Sequence, residues 1–300
     1  MSKVAIVGVV GRTNAGKSTL VNGLVGEKVS IVSPVEQTTR NTIRGIVADP
    51  LGQLVLLDTP GLHKAEGRLG TLLNKMARQS AAGTDITCLV VDASQKPHVE
   101  DLGWIERLKK EQHEKVVVVL NKVDKGLGEG WDDVLAELTH AARAEAHPCQ
   151  IIKCIATDSS SVVKVKELLF SLAEEGEPLF DEDIVTDYPR KMAIADVIRE
   201  QFIKKLFQEL PHELGVIVKS IDGEDEWFVK ADVVVNRESQ RPMVLGKNAG
   251  LIKWVRKNAE KELKAMFGLK VKLELWVRVE HNWMTNEKLL IEMGYLGAEI

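Results

Sequence analysis

Three short segments carry residue types whose spacing could do chemistry. Gly11-Arg12-Thr13-Asn14-Ala15-Gly16-Lys17-Ser18 fits G-x-x-x-x-G-K-S, a pattern in which backbone N–H groups wrap a phosphate. The stretch follows an apolar run and precedes a helical pattern, so the positive end of the helix dipole would face the anion. Gly11, Asn14, Ala15, Gly16, Lys17, Ser18 and Thr19 are the expected nucleotide contacts, with Lys17 neutralising β- and γ-phosphate oxygens and Ser18 ligating Mg²⁺. Asp58-Thr59-Pro60-Gly61 follows the third apolar run, where an Asp can hold the Mg²⁺ shell through water. Asn121-Lys122-Val123-Asp124 follows the fifth run. A carboxylate only accepts, so Asp124 can take both the N1–H and the N2–H of guanine, a pattern adenine lacks. Asn121 would then tie the base loop to the phosphate loop, and the stem of Lys122 would cover the base. Each tetrapeptide alone fits an ordinary strand-to-loop transition; the three in this order point to GTP hydrolysis and disfavour an ATP-dependent kinase.

The elements needed to place those segments are legible. Apolar runs at Val4 to Val10, Thr42 to Ala48, Gln53 to Leu57, Ile86 to Val91, Lys115 to Leu120 and Ile151 to Ile155 alternate with amphipathic helical patterns. That alternation predicts an α/β domain over residues 1–175, with a mainly parallel sheet and helices on both faces. Residues 176–186 follow an acidic stretch with Gly176 and Pro178 and read as a linker. Residues 187–300 read as a helix (Lys191 to Glu209), two strands (Leu214 to Ser220, Glu226 to Asn236), a turn at Gly246, a helix to Phe267 and a strand (Lys270 to Val279), an α+β arrangement. With 300 residues, 44% apolar, the chain can bury two modest cores. Three cysteines without a C-x-x-C pair suit a reducing compartment. The start shows no transit or cleavage pattern, and no apolar run reaches membrane-span length, so a soluble cytoplasmic protein is expected. The net charge of -4 argues against indiscriminate nucleic-acid binding.

These motifs, with Gln37-Thr38-Thr39-Arg40 between the first helix and second strand, resemble the motif set of the Era family of GTPases. The resemblance implies that Thr39, with Thr38 as alternate, closes over Mg²⁺ and the γ-phosphate, and that Lys17, Asn14, Thr39 and Gly61 form the hydrolytic centre. Cys154-Ile155-Ala156 stands where the family has Ser-Ala; Ala156 can still offer its N–H to guanine O6, but a loop-stabilising hydroxyl is missing. Leu62 replaces the Gln that orients water in many GTPases, and His63 is next. In the branch with such a replacement a K⁺ ion bound beside Asn14 supplies positive charge; the alternative is that Asn14 only shapes the loop.

From Asp187 onward the pattern resembles a type II KH domain, which clamps about four single-stranded nucleotides at a G-x-x-G loop. Here the loop reads Gly246-Lys247-Asn248-Ala249, with Gly250 one step later. Either the loop is one residue longer and Gly250 substitutes, or the Ala249 methyl weakens RNA binding. Gly246, Lys247, Asn248, Ala249, Gly250 and Lys253 are the expected RNA contacts. Between Arg237 and Arg278 lie eleven cations and four acids, the footprint of a phosphate-binding face, although part of it also fits a solvated helix face. Trp254 could stack on a base, with core packing the plainer role; Trp276 and Trp283 read as core. The resemblance implies 16S rRNA of the small ribosomal subunit as partner and ribosome assembly as the process, and leaves a peripheral membrane contact open. An RNA-modification GTPase would need a further cofactor domain, for which no length remains. The alternative is a GTPase whose altered KH-like domain binds protein instead of RNA.

Overall fold

The protein is described by a computed structural model covering residues 2–32, 40–61, 67–81, 83–110, 115–144, 149–206, 210–211 and 213–295. Thr38, Thr39, Leu62 and His63 lie outside the described residues. The chain divides into two compact units: the first ends at Asp187, and the second is formed mainly by residues from Tyr188 onward and also takes in Ile31 and Val32.

The first unit runs β1 (Lys3–Val10), α1 (Lys17–Val25), β2 (Ile43–Asp49), β3 (Gly52–Asp58), α2 (Gly67–Ala81), β4 (Ile86–Asp92), α3 (Val99–Lys110), β5 (Val116–Asn121), α4 (Trp131–Ala144), β6 (Cys149–Cys154), α5 (Ser159–Leu172) and β7 (Glu174–Glu175). The strand order is β2-β3-β1-β4-β5-β6, with β7 paired to β1. All six expected strands form. β3, β1, β4, β5 and β6 are mutually parallel, whereas β2 runs antiparallel to β3 as a hairpin partner. Every residue of β4 and β5 is buried, as a strand covered on both faces requires. One core lies where α3 and α4 cover β4 and β5, around the fully buried Trp104 and Trp131. Because parallel strands all point the same way, the loops after β1, β3, β4, β5 and β6 gather at one edge of the sheet, where ligands of open α/β sheets bind.

Residues 176–186, expected as a linker, are strapped along this unit. Gly176 N–H donates to Ser2 O at 2.9 Å. The buried Gln53 carboxamide donates to Phe180 O (2.8 Å) and accepts from the N–H groups of Leu179 (2.8 Å) and Phe180 (3.0 Å). Further along, Ile46 N–H donates to Val185 O (2.9 Å), Thr186 Oγ1 to Arg44 O (2.6 Å), and Arg44 pairs with Asp187. No local pattern signals this strap, because each contact joins residues more than a hundred positions apart.

The second unit runs α6 (Arg190–Ile203), β8 (Gly215–Asp222), β9 (Glu226–Val235), α7 (Arg241–Leu245), α8 (Gly250–Phe267), β10 (Lys270–Val279) and α9 (Glu287–Glu292). Its sheet is ordered β10-β9-β8, with β9 antiparallel to β8 and parallel to β10. α6 ends at Ile203, earlier than the expected Glu209, and the short helices α7 and α9 have no counterpart in the sequence pattern. The core joins Ile194, Ile198 and Phe202 of α6, Val255, Ala259 and Leu263 of α8, and the inward residues of β8, β9 and β10. Trp283 is fully buried and donates to Glu213 O at 2.8 Å, as a core role predicts. Trp276 is not core: it stands 62% exposed on β10, because the strand's alternation faces it away from α6 and α8.

Replacing Gln53 by Ala should strand three backbone groups at Leu179 and Phe180. The expected cost is about 2–4 kcal/mol, at roughly 1–3 kcal/mol for a buried unpartnered group with some relief by water. Thermal unfolding of Gln53→Ala, together with faster amide exchange at Leu179 and Phe180, checks it.

Candidate nucleotide and RNA sites

The structure brings Gly11, Asn14, Ala15, Gly16, Lys17, Ser18, Thr19, Asp58, Gly61, Asn121, Lys122, Asp124 and Ala156 to the carboxyl edge of the first unit's sheet. α1 begins without a side-chain cap: its N-cap is Gly16, at φ 101°. The first N–H groups of a helix have no intrahelical acceptor, and a glycine N-cap has no side chain to offer them, so an anion is a fitting partner. Gly16 is required for a second reason, since a Cβ there would lie 2.2 Å from Asn121 Nδ2. That carboxamide ties three loops together. Asn121 Nδ2 donates to Ala15 O at 2.8 Å, and its Oδ1 accepts from Ala156 N–H at 2.9 Å. The Ala156 N–H, expected to face guanine O6, donates to Asn121 here. The missing loop hydroxyl is also accounted for: Ser161 Oγ accepts from Ile155 N–H at 2.8 Å, and Asp158 caps α5 through Ser161 N–H at 2.9 Å. Ser161 was missed because it sits one helical turn beyond the motif.

Lys17 is buried, and its ammonium donates to the carbonyls of Gly11 (3.2 Å) and Arg12 (2.9 Å). Burial lowers its pKa to about 8, against the opposing pull of Asp58 and Asp101. Asp58 is fully buried; burial pushes its carboxyl above the ordinary range, while Lys17 and the hydroxyls of Ser18 and Ser30 pull it back. A carboxylate beside a serine hydroxyl is a hard-oxygen donor set, which suits Mg²⁺. The loop after β3 is seated on the phosphate loop: Thr59 Oγ1 donates to Val9 O at 2.9 Å, and a Cβ on Gly61 would lie 2.6 Å from Thr13 N. Lys122 reaches from the base loop to Asn14 O (2.7 Å) and to Asp92 (2.7 Å). Asp124 stands exposed in the turn Val123–Lys125, open to a ligand. Thr39 lies outside the described residues.

In the second unit the loop from Gly246 to Ala249 closes as a turn, with Ala249 N–H donating to Gly246 O at 3.1 Å. Asn248 (φ 52°) and Ala249 (φ 54°) are both left-handed, and Ala249 is the N-cap of α8. Gly250 is right-handed (φ -67°) and already helical. The loop is therefore not one residue longer, and Ala249 itself occupies the position that favours glycine. Lys247, Asn248, Gly250 and Lys253 are exposed, and the exposed face of α8 continues with Arg256, Lys257, Lys261 and Lys264. Trp254 packs against the core with the Lys205 ammonium 4.7 Å from its ring centroid, which favours packing over base stacking.

A family model described as a 50S ribosome-binding GTPase matches residues 6–122, and one described as a KH domain matches residues 209–284. The chain is 33% identical over 297 residues to GTPase Era of Clostridium botulinum, covering 98% of this chain and 99% of that protein. It is 34% identical over 296 residues to GTPase Era of Caldanaerobacter subterraneus subsp. tengcongensis, covering 98% of each. Among solved structures, Era in complex with MgGDPNP and nucleotides 1506–1542 of 16S ribosomal RNA superposes with a TM-score of 0.89 at 31% identity, covering 98% of this chain and 99% of that one. An Aquifex aeolicus Era variant bound to GDP and aluminium fluoride gives a TM-score of 0.87 at 31% identity over the same shares.

Two outcomes follow from these geometries. Lys17→Met should cut turnover on the order of 100-fold or more, by removing a charge that meets the transferring group. It should lower the unfolding midpoint of the nucleotide-free protein only modestly, because removal of a buried ammonium offsets part of the cost of leaving the buried Asp58 carboxyl without its counter-charge; steady-state hydrolysis and calorimetry read the two effects. Ala249→Gly should stabilise the second unit by about 0.5–1 kcal/mol in chemical denaturation. Relief of the left-handed penalty, roughly 1–2 kcal/mol, outweighs the added unfolded-state entropy, roughly 0.4–1 kcal/mol.

Proposed function

The chain belongs to the Era family of GTPases, and on that premise we propose that it is a GTP-hydrolysing switch that binds single-stranded RNA through its second unit and acts in assembly of the small ribosomal subunit. The observation that carries the reading is the Asn121 bridge between the phosphate loop and the loop holding Ala156, beside an exposed Asp124. That arrangement suits a guanine nucleotide: Asp124 accepts from N1–H and N2–H, Lys122 flanks the base, and the uncapped start of α1 meets the phosphates. Ser18 and Asp58, joined by Thr39, would hold Mg²⁺, which neutralises phosphate oxygens when bound. Lys17 adds the positive charge of this chain's own making, and its two carbonyl partners hold it at the loop until a phosphate arrives.

RNA binding is supported by the turn at Gly246, the exposed Lys247 and Lys253 at the start of α8, and the likeness to an Era structure that holds a 16S ribosomal RNA segment. Among the described residues no helix is long and apolar enough to cross a membrane. Membership of the Era family supports a cytoplasmic protein.

The test is RNA affinity by fluorescence anisotropy, in a salt series, with GDP or a GTP analogue bound. Affinity for a short single strand should fall steeply with salt, by a log–log slope of about 0.7 per phosphate contact. It should differ between nucleotide states, and RNA should shift nucleotide affinity by the same factor. In Asp124→Asn the response should pass from guanine to xanthine nucleotides. Unchanged GDP affinity in that variant would sink guanine reading. Equal RNA affinity in both states would leave a GTPase with a passive tether, and no RNA binding at low salt would turn the second unit into a protein-binding module.

A further inference from the structure

The phosphate loop carries a second cation, and it points away from the anion site. Arg12 follows Gly11, yet its guanidinium turns outward: Nε lies 3.2 Å from the Asp101 carboxylate in the first turn of α3, and Nη2 lies 3.4 Å from Gln95 Oε1 and 3.9 Å from Asp92. Asp101 is fully buried and also accepts from His98 N–H at 3.0 Å. Asp92, at the end of β4, accepts from Ser94 Oγ (2.6 Å) and from Lys122 Nζ (2.7 Å), which itself donates to Asn14 O (2.7 Å). The polar chain Asp101, Arg12, Asp92, Lys122, Asn14 therefore leaves the phosphate loop at one residue and re-enters it two residues later, passing through α3 and the base loop. Its far anchor is firm. Trp131 Nε1 donates to Gln95 O at 2.8 Å, and a Cβ on Gly128 would lie 2.2 Å from the same carbonyl group.

We infer that Arg12 and Asp101 are positioning residues for nucleotide retention, holding the phosphate loop and the base loop in one register by clamping both to the start of α3. Neither group is placed to touch the nucleotide. Their action runs through the Arg12 carbonyl, which holds the Lys17 ammonium at 2.9 Å, and through the Asp92 carboxylate, which holds Lys122. A planar guanidinium with five donors can bridge diverging carboxylates; an ammonium at the same place reaches one. Loss of either partner leaves the other charge in a buried site without its counter-ion.

The inference rests on the guanine-nucleotide reading, and release of a fluorescent GDP from the full chain, followed by stopped flow, separates the two. If the unaltered protein binds no fluorescent GDP, the nucleotide reading fails, and this inference with it. If it binds, Arg12→Lys and Asp101→Asn should each speed release about tenfold, with association rates unchanged. The double variant should be no faster than the faster single variant, because both break one link. Gln95→Ala, which removes a support of Arg12 without stranding a buried charge, should speed release about threefold and covers the case in which a charge variant fails to fold. Unchanged release in Gln95→Ala and in whichever single variants fold, or a roughly hundredfold effect in the double variant, would overturn the clamp.

Discussion

The first unit depends on one side chain that makes contacts in two directions at once. Asn121 closes β5, and its carboxamide donates to the phosphate loop while accepting from the loop after β6. A carboxamide has both polarities on one planar group, so neither an aspartate nor a leucine of the same size could make this pair of bonds. Gly16 is the cost of that closeness, since any side chain there would occupy the space of the Asn121 nitrogen. Parallel strands supply the rest: they end at one edge, and the loops they release need only a short bridge to become a single surface.

What was legible in the sequence was what local pattern dictates. Six of the first unit's seven strands and the order of its motifs follow from alternating apolar runs, with strand ends within one or two residues of Asp58, Asn121 and Cys154; the two-residue β7 does not. What escaped depends on distance in the chain. Ser161 stabilises the loop after β6 from within α5, and Arg12 reads as a filler position in its motif until Asp101 is beside it. Ala156 illustrates a different limit. Its place in the loop after β6 follows from the motif, but the contact of its N–H with Asn121 is decided by packing, which no spacing reveals. Trp276 was misjudged because aromatic residues usually bury, and only the strand's register shows which face it takes.

The second unit holds its loop under tension. Two successive left-handed residues without a glycine, Asn248 and Ala249, follow Gly246, and asparagine tolerates that conformation better than alanine. The turn survives because the residues on either side are fixed, Val244 of α7 and Val255 of α8 both being buried in the core. The strain sits in an exposed loop flanked by the cations Lys247 and Lys253, the surface proposed to meet RNA.

The strap has a bearing on how the chain is made. β1 leaves the ribosome before the rest of its unit, yet Lys3 bonds to Ala173 O, 170 residues later, and pairs with Glu175, while Ser2 O waits for Gly176. The Gln53 carboxamide likewise cannot make its bonds to Leu179 and Phe180 until those residues have been synthesised. The first unit therefore cannot complete its hydrogen bonding during the earlier part of its own translation, and its last contacts close only as the second unit starts to appear. Contacts of such long sequence separation form slowly, so the vectorial advantage of folding the amino-terminal domain first is deferred here to the moment the chain crosses from Asp187 to Tyr188.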